Sequence, residues 1–383
     1  MNIFYIDPMM GGSLAIYDMS LLTNLTRDCK VTVLGSSLFD GEKPDSMKIY
    51  PVFTYNHKVG IKKILSYLFS LWKVFKLVKK ARPEVIHIQW LKIHGFDSWF
   101  YLFLQKRFGA KIVFTAHNIL PHDTGEKYAK VYGKFYNKVD AVIVHDKCTQ
   151  NLLCSKFDVP VDHVHVLPHG LILFKGNEDK VEAEKKDFVE RYGISDDAMV
   201  FSSMGVQGYY KGTDVLIDVW TGNDELRNNP KCALVLAGKC NNLDLSKLSG
   251  LSNVIIENAL LPDERFNAIM CRTDVLVLPY RQISQSGVNM TAMYFKIPVL
   301  VADVGGLADP IRKADIGWVI PKCDKSLLEE MLLKLVRNPE ETLRKKNDNE
   351  EEWAKVQEAY SWREIGKNTS ELYKRVANRK YNI

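Results

Sequence analysis

Short runs of β-branched and aromatic residues alternate along this chain with longer segments whose apolar positions recur at helical spacing. In the first half, such runs predict strands at Asn2–Ile6, Val31–Leu34, Val85–Gln89, Ile112–Thr115, Ala141–Val144 and His163–Leu167. Helical periodicity predicts helices over Gly12–Leu25, Ile61–Lys80, Ser98–Phe108 and Tyr128–Lys138. The alternation restarts further on, with strands at Val200–Ser203, Ala233–Ala237, Asn253–Ile256, Val275–Leu278 and Val299–Ala302. Helices are expected there over Asp214–Trp220, Asp263–Cys271 and Gly287–Phe295. The remainder reads as helical: a charged segment from Leu327 to Gln357, a break at Tyr360-Ser361, then Trp362–Lys380. Strand–helix alternation of this kind builds parallel sheets covered by helices, so the expected fold class is α/β. Two doubly wound domains of similar size, facing a central cleft, are the simplest arrangement. The stretch from Lys175 to Lys186 is crowded with Lys, Glu, Asp and Asn and reads as the connection between them.

Length and composition agree with two cores. The chain has 383 residues, 46% hydrophobic and 26% charged, which excludes a disordered or fibrous chain. Lys and Arg number 52 against 46 Asp and Glu, and an excess of +6 is too mild for a dedicated nucleic-acid binder. Seven scattered cysteines, with no C-x-x-C, argue against a disulfide framework or structural zinc and for a reducing cytoplasm. The N-terminus reads as a first strand, not a secretory signal. No window reaches the ~18–20 uncharged apolar residues that would span a bilayer.

Candidate chemistry lies at strand ends, where open α/β sheets bind ligands. Gly205-Val-Gln-Gly-Tyr-Tyr-Lys-Gly-Thr-Asp214 follows a strand and precedes a helix. Its glycines let backbone amides approach an anion, and Lys211 adds a full positive charge. A tight turn with a solvated lysine explains the same stretch equally well. A second polar loop runs from Pro279 to Val288, with Gln285-Ser286-Gly287-Val288 opening a helix and Arg281 nearby as a counter-charge. Val304-Gly-Gly-Leu307 follows the next strand. In the first half, Gly11-Gly12 sits between a strand and a helix, and His117 stands at a strand end with His122 five residues on. A histidine so placed serves as often to hold structure as to catalyse. His87, His163 and His165 fall within predicted strands and read as core or interface residues, and no metal site is expected.

Taken in order, these segments resemble the retaining nucleotide-sugar glycosyltransferases of the GT-B fold, glycosyltransferase family four. The resemblance spans nearly the whole chain: Gly11-Gly12, His117-Asn118, Val166-Leu-Pro-His-Gly170, Tyr210-Lys-Gly-Thr-Asp214, Leu236-Ala-Gly238, Thr273 to Pro279, Ser284 to Val288, Pro298-Val299, Val304 to Leu307 and Tyr360-Ser-Trp362. It implies two Rossmann-like domains, residues 1–172 and 187–359, joined by a connection at 173–186, with a helix over 360–383 crossing back to the first domain. It further implies that Lys211 binds the donor diphosphate and that Ser286, Gly287 and Val288 cradle its distal phosphate. Gly205, Arg281, Gln285 and Thr291 would complete the donor site, Gly11-Gly12 would close it from the other domain, and His117 would face the transferred sugar. The donor would be a UDP- or GDP-sugar, with no metal and no further cofactor. Two positions depart from the family: its paired glutamates are Ile283 and Thr291 here, and an arginine three residues before the lysine is Gly208.

The segment from Ile61 to Lys80 carries a separate expectation. Ile61, Ile64, Leu65, Leu68, Leu71, Trp72, Phe75 and Val78 share helical spacing, Lys62, Lys73, Lys76 and Lys80 gather elsewhere, and no acid occurs from Lys58 to Arg82. The apolar face is expected to pack on the sheet, and the lysines to favour an anionic membrane surface. The sequence thus points to a cytoplasmic enzyme, peripheral at the inner face of the plasma membrane. It would transfer sugar to a hydroxyl of a glycan or lipid-linked glycan in surface-polysaccharide assembly. The alternatives are a catalytically weak GT-B partner subunit that binds glycan or nucleotide, motivated by the missing glutamates, and a GT-B epimerase or phosphorylase, for which no carboxylate pair or free-phosphate site is legible.

Overall fold

The computed structural model describes residues 1–39, 41, 43–44, 47–54, 60–121, 125–174, 176–283 and 285–379. His122 and Ser284, both singled out above, lie outside them. The chain divides into two compact units, residues 1–170 with 361–383, and residues 171–360.

The first unit is built on seven strands: β1 (Asn2–Ile6), β2 (Lys30–Ser36), β3 (Lys48–Phe53), β4 (Val85–Ile88), β5 (Lys111–Thr115), β6 (Ala141–Val144) and β7 (Val164–Val166). They pair in parallel in the order 3-2-1-4-5-6-7. Its helices are α1 (Gly12–Thr23), α2 (Ile61–Ala81), α3 (His94–Phe108), α4 (Gly125–Tyr136) and α5 (Lys147–Phe157). Two elements escaped the periodicity. β3 is a partly exposed edge strand that carries Pro51, which an edge tolerates, and α5 shows only three buried positions.

The second unit repeats the plan. Helix α6 (Glu178–Tyr192) precedes β8 (Met199–Met204), and α7 (Thr213–Gly222) and α8 (Asp224–Arg227) lead to β9 (Cys232–Ala237) and β10 (Val254–Glu257). Helix α9 (Asp263–Arg272), β11 (Val275–Leu278), α10 (Gly287–Tyr294), β12 (Val299–Ala302), α11 (Asp309–Lys313) and β13 (Gly317–Ile320) complete the sheet. Its six parallel strands run in the order 10-9-8-11-12-13, so both sheets have the 3-2-1-4-5-6 winding of a Rossmann fold. Three helices follow, α12 (Lys325–Arg337), α13 (Pro339–Asn347) and α14 (Glu350–Ala359), before α15 (Trp362–Asn378).

The stretch expected as a connection at 173–186 is, from Glu178 onward, helix α6 inside the second unit. Asn177 caps it by accepting from the Lys180 amide at 3.1 Å. It docks through one fully buried apolar side chain, Phe188, and through charge. Arg265 of α9, itself buried, pairs with Glu184 at 3.1 Å, Asp187 at 3.0 Å and Glu257. A pattern search for apolar periodicity misses a helix held this way.

Helix α15 belongs to the first unit. Ser361 caps it by accepting from the Glu364 amide at 3.2 Å, the Ser-x-x-Glu spacing of a capping box. Leu372, Tyr373 and Val376 pack on Ile3, Val85, Val113 and Ile143 of the sheet. Gly366 lets it press against α1, since a Cβ there would lie 2.2 Å from the Asn24 carbonyl oxygen. Helices α2 to α5 cover the opposite face. Among the described residues no helix is long and apolar enough to cross a membrane, and none of the seven cysteines forms a disulfide.

Candidate functional site

In the second sheet the strand order reverses between β8 and β11, and the loops that follow these two strands flank the switch point. The first loop, 205–212, turns on glycines that no other residue can replace without strain. Gly205 has φ +81°, and a Cβ on it would stand 3.0 Å from Lys211 Nζ and 3.3 Å from a Val288 methyl. Gly205 therefore lies against both the lysine and the start of α10. Gly212, at φ +68°, presses on the second loop, where a Cβ would meet the Pro279 carbonyl oxygen at 2.1 Å. The loops are further tied by the Arg281 amide, which donates to the Tyr210 carbonyl at 2.9 Å.

Lys211 is only 5% exposed, in a single 3₁₀ turn at Tyr209–Lys211. Its ammonium donates to the Met204 carbonyl at 2.8 Å, its one hydrogen bond among the described residues, and stands 5.4 Å from the centre of the Tyr280 ring. Burial pushes its pKa down to about 8. An ammonium has three donors, so a buried one with a single acceptor is short of partners in a way an anionic oxygen would remedy. Across the same mouth, Ser286 caps α10, its buried hydroxyl accepting from the Asn289 amide at 3.4 Å. The amides of Gly287 and Val288 are the first two of that helix, a position where a helix supplies no internal carbonyl partner. The Gln285 side-chain carbonyl is buried with no hydrogen-bond partner among the described residues.

Two residues expected at the donor are engaged elsewhere. Arg281 forks onto Asp214 at 2.6 and 2.7 Å and stacks 3.8 Å above the Tyr209 ring, so its charge clamps the two loops together. Thr291 is fully buried, its hydroxyl donating back to the Gly287 carbonyl at 3.0 Å. Ile283, the other position where the family carries a glutamate, packs on the core. A network the sequence reading missed underpins the first loop: buried Gln207 donates to the carbonyls of Ser203 and Gly205 and accepts from the Thr213 hydroxyl.

In the first unit Gly11 caps α1 with extended backbone, φ −179°, and Gly12 opens the helix. A Cβ on Gly11 would make only ordinary contact with Leu38 at 3.5 Å, so the chain's own packing does not demand glycine there. The Tyr5 hydroxyl donates to buried Asp18 at 2.5 Å, and the Met9 amide donates to buried Asp7 at 2.6 Å. Burial raises the pKa of both carboxyls.

His117, at the end of β5, is the middle of a chain of rings. The Leu167 carbonyl accepts from His145 Nδ1 at 2.9 Å, which fixes His145 Nε2 as an acceptor for His117 Nδ1–H at 3.2 Å. His117 Nε2 then carries a lone pair and faces the Gln89 amide at 2.9 Å. Burial lowers the pKa of His117 well below the usual range and takes His145 down to about 4, so both rings are neutral at pH 7. A neutral His117 requires the Gln89 amide to present its NH₂ end; with Oε1 there, the ring would need a second proton. The Gln89 carbonyl then accepts from His87 Nε2–H, which also bonds Thr115 Oγ1 at 2.7 Å, while the Tyr373 hydroxyl donates to His87 Nδ1 at 2.6 Å. His117 also stacks on Trp90, centroids 4.7 Å apart. Any ligand hydroxyl must therefore compete with Gln89 for Nε2. His87, expected as core, is the far end of this chain.

Lys62, Lys73, Lys76 and Lys80 lie along α2 in the first unit, remote in sequence from the glycine loops. Among the described residues no group of three His, Cys, Asp or Glu side chains is placed to hold a metal ion.

Residues 17–173 match the profile of Glycosyltransferase Family 4, and residues 196–338 that of Glycosyl transferases group 1. An uncharacterized glycosyltransferase of Methanocaldococcus jannaschii is 24% identical over 380 residues, covering 96% of this chain and 95% of that protein. Among solved structures, Anabaena HepE in complex with UDP superposes with a TM-score of 0.72 at 14% identity, over 98% of this chain and 100% of that one. HepE is also known in complex with UDP-glucose, with a TM-score of 0.70 at 15% identity, over 98% and 100% of the two chains. Sucrose-phosphate synthase from Thermosynechococcus elongatus gives 0.74 at 15% identity, over 98% and 99%. With two Rossmann-like units and both family profiles in place, the chain belongs to the GT-B nucleotide-sugar glycosyltransferases of the family-four, group-1 type.

Proposed function

We propose that this glycosyltransferase moves a hexosyl group from a UDP- or GDP-sugar to a hydroxyl of a glycan or lipid-linked glycan, with retention at the anomeric carbon, in surface-polysaccharide assembly. The observation that carries the donor side is Lys211: a buried ammonium with one carbonyl partner, beside the first amides of α10 at the switch point. UDP is the favoured nucleotide because HepE, of the same fold, binds UDP and UDP-glucose. The acceptor class and pathway rest on the family resemblance.

In this reading the bond from the anomeric carbon to the diphosphate breaks as the bond to the acceptor oxygen forms, and the hydroxyl proton goes to the departing phosphate. Negative charge grows on that phosphate, and Lys211 with the Gly287 and Val288 amides is aimed at it. Asp214 is held by Arg281, so the loops offer no carboxylate nucleophile from that residue. Lys211 and the helix start supply the counter-charge, and the reading calls for no metal.

The test is transfer from a panel of UDP- and GDP-sugars to glycan acceptors, with the anomeric configuration of the product read by NMR. Retained configuration, and a Lys211→Ala loss of about 10²–10³ in rate, are expected. An inverted product, or normal turnover by folded Lys211→Ala, would overturn it. The missing family glutamates also fit a nucleotide-binding partner subunit; UDP binding without turnover on any acceptor would select that reading.

A further inference from the structure

Helix α2 has two apolar faces, and the sheet takes only one. Tyr67, Leu71, Val74 and Val78 are buried against the first sheet. At ~100° per residue a second stripe runs about 130° around the helix. It comprises Ile64, Leu65, Phe69 and Trp72, all roughly half exposed or more. The face expected from sequence to pack as one is thus split, with Leu71 and Val78 inside and Ile61, Ile64, Leu65 and Trp72 outside.

The stripe does not stop at α2. Phe75 stacks with Phe103 of α3, centroids 6.3 Å apart, and Phe103 stacks in turn with Trp99, which lies beside Phe96. Trp99 is 59% exposed, and Phe96 and Phe103 are exposed as well. Two neighbouring helices therefore present one continuous aromatic surface to solvent, larger than scattered exposure accounts for.

Its charge is one-sided. Lys62, Lys73, Lys76 and Lys80 line one flank, with Lys76 3.5 Å above the Trp72 ring and Lys73 4.9 Å above Phe69. The only acids between residues 60 and 108 are Glu84, beyond the end of α2, and Asp97, which is fully buried. Exposed Trp and Phe beside lysines, with no exposed acid on either helix, suit the boundary between lipid headgroups and acyl chains.

We infer that α2 and α3 together seat the first unit on an anionic bilayer, with Trp72 and Trp99 entering the acyl boundary and the lysines meeting headgroup phosphates. This surface brings the enzyme to lipid-linked acceptors but does not depend on the donor chemistry, so the two can fail separately.

The test is flotation of the full chain, without donor or acceptor, on vesicles of phosphatidylcholine alone or with a third phosphatidylglycerol. The wild type should float with the anionic vesicles and weaken as salt rises, because attraction to the surface decays within ~8 Å at physiological ionic strength. At roughly fivefold per lysine, Lys73→Gln with Lys76→Gln should weaken that binding about 25-fold. Trp72→Ser with Trp99→Ser should weaken it more than tenfold, leaving a residual binding that salt abolishes. All four side chains lie in or beside solvent, and UDP-induced stabilisation should survive in both variants; should the tryptophan variant fail to fold, the lysine variant decides. A wild type that ignores anionic vesicles at low salt would overturn the inference. So would equal binding to neutral vesicles with no effect of the lysines, or a dimer that Trp72→Ser with Trp99→Ser converts to monomer without any vesicle binding.

Discussion

The depressed pKa of Lys211 makes two pH dependences of opposite sign. Burial lowers the ammonium to about 8 in the free protein, against an ordinary lysine value of ~10.4. A bound diphosphate, whose terminal phosphate loses its last proton near pH ~6, must restore the charge, so binding takes up a proton wherever the free protein has lost it. The protonated fraction falls from about nine-tenths at pH 7 to about one-tenth at pH 9, which weakens UDP binding about tenfold, or ~1.4 kcal/mol. The unfolded chain keeps its proton over this range while the folded one loses it, so the ligand-free protein gains about 1.3 kcal/mol of stability from Lys211 over the same interval. Isothermal titration in two buffers of different ionisation enthalpy should show little net proton uptake per UDP at pH 7, where the phosphate still holds about a tenth of a proton, and about 0.9 at pH 9. Lys211→Met should abolish the uptake and flatten the affinity. Constant affinity from pH 7 to 9 in the wild type, or equal proton uptake in Lys211→Met, would refute the reasoning.

Three further outcomes are expected. Gly238→Ala should destabilise the second unit by more than ~2 kcal/mol in urea titration, because φ is +128° and the new Cβ would lie 2.2 Å from the Gly205 carbonyl oxygen, displacing the lysine loop. His145→Ala should lower kcat while sparing UDP binding, because it removes the acceptor that fixes the His117 tautomer; its pH–rate profile should shift, which a purely structural loss would not produce. EDTA should leave the rate unchanged, and restoration of a silenced enzyme by magnesium or manganese would refute the charge-stabilisation account.

Much of the fold was legible because buried parallel strands are continuous apolar runs: Asn2–Ile6, Ala141–Val144, Val275–Leu278 and Val299–Ala302 stand as read. Elements held by something other than apolar periodicity were not legible. β3 is an exposed edge, and α6 docks through Arg265 and its carboxylate partners. The loops around Lys211 and Ser286 could be found from glycines and helix starts. What sequence could not show is pairing across distance. Arg281 read as a counter-charge for the ligand because Asp214, 67 residues earlier in the chain, is no neighbour in sequence, and the partners of His117 went unread because Gln89 and His145 reach it from the ends of β4 and β6. The exposed stripe of α2 was hidden by its buried one, since both follow helical spacing.

The most direct measurement is the structure of this chain with UDP bound. The account predicts that Lys211 Nζ lies within about 3 Å of a phosphate oxygen, and that the Gly287 and Val288 amides point at the same diphosphate. A diphosphate bound elsewhere, with Lys211 still bonded only to the Met204 carbonyl, would contradict it.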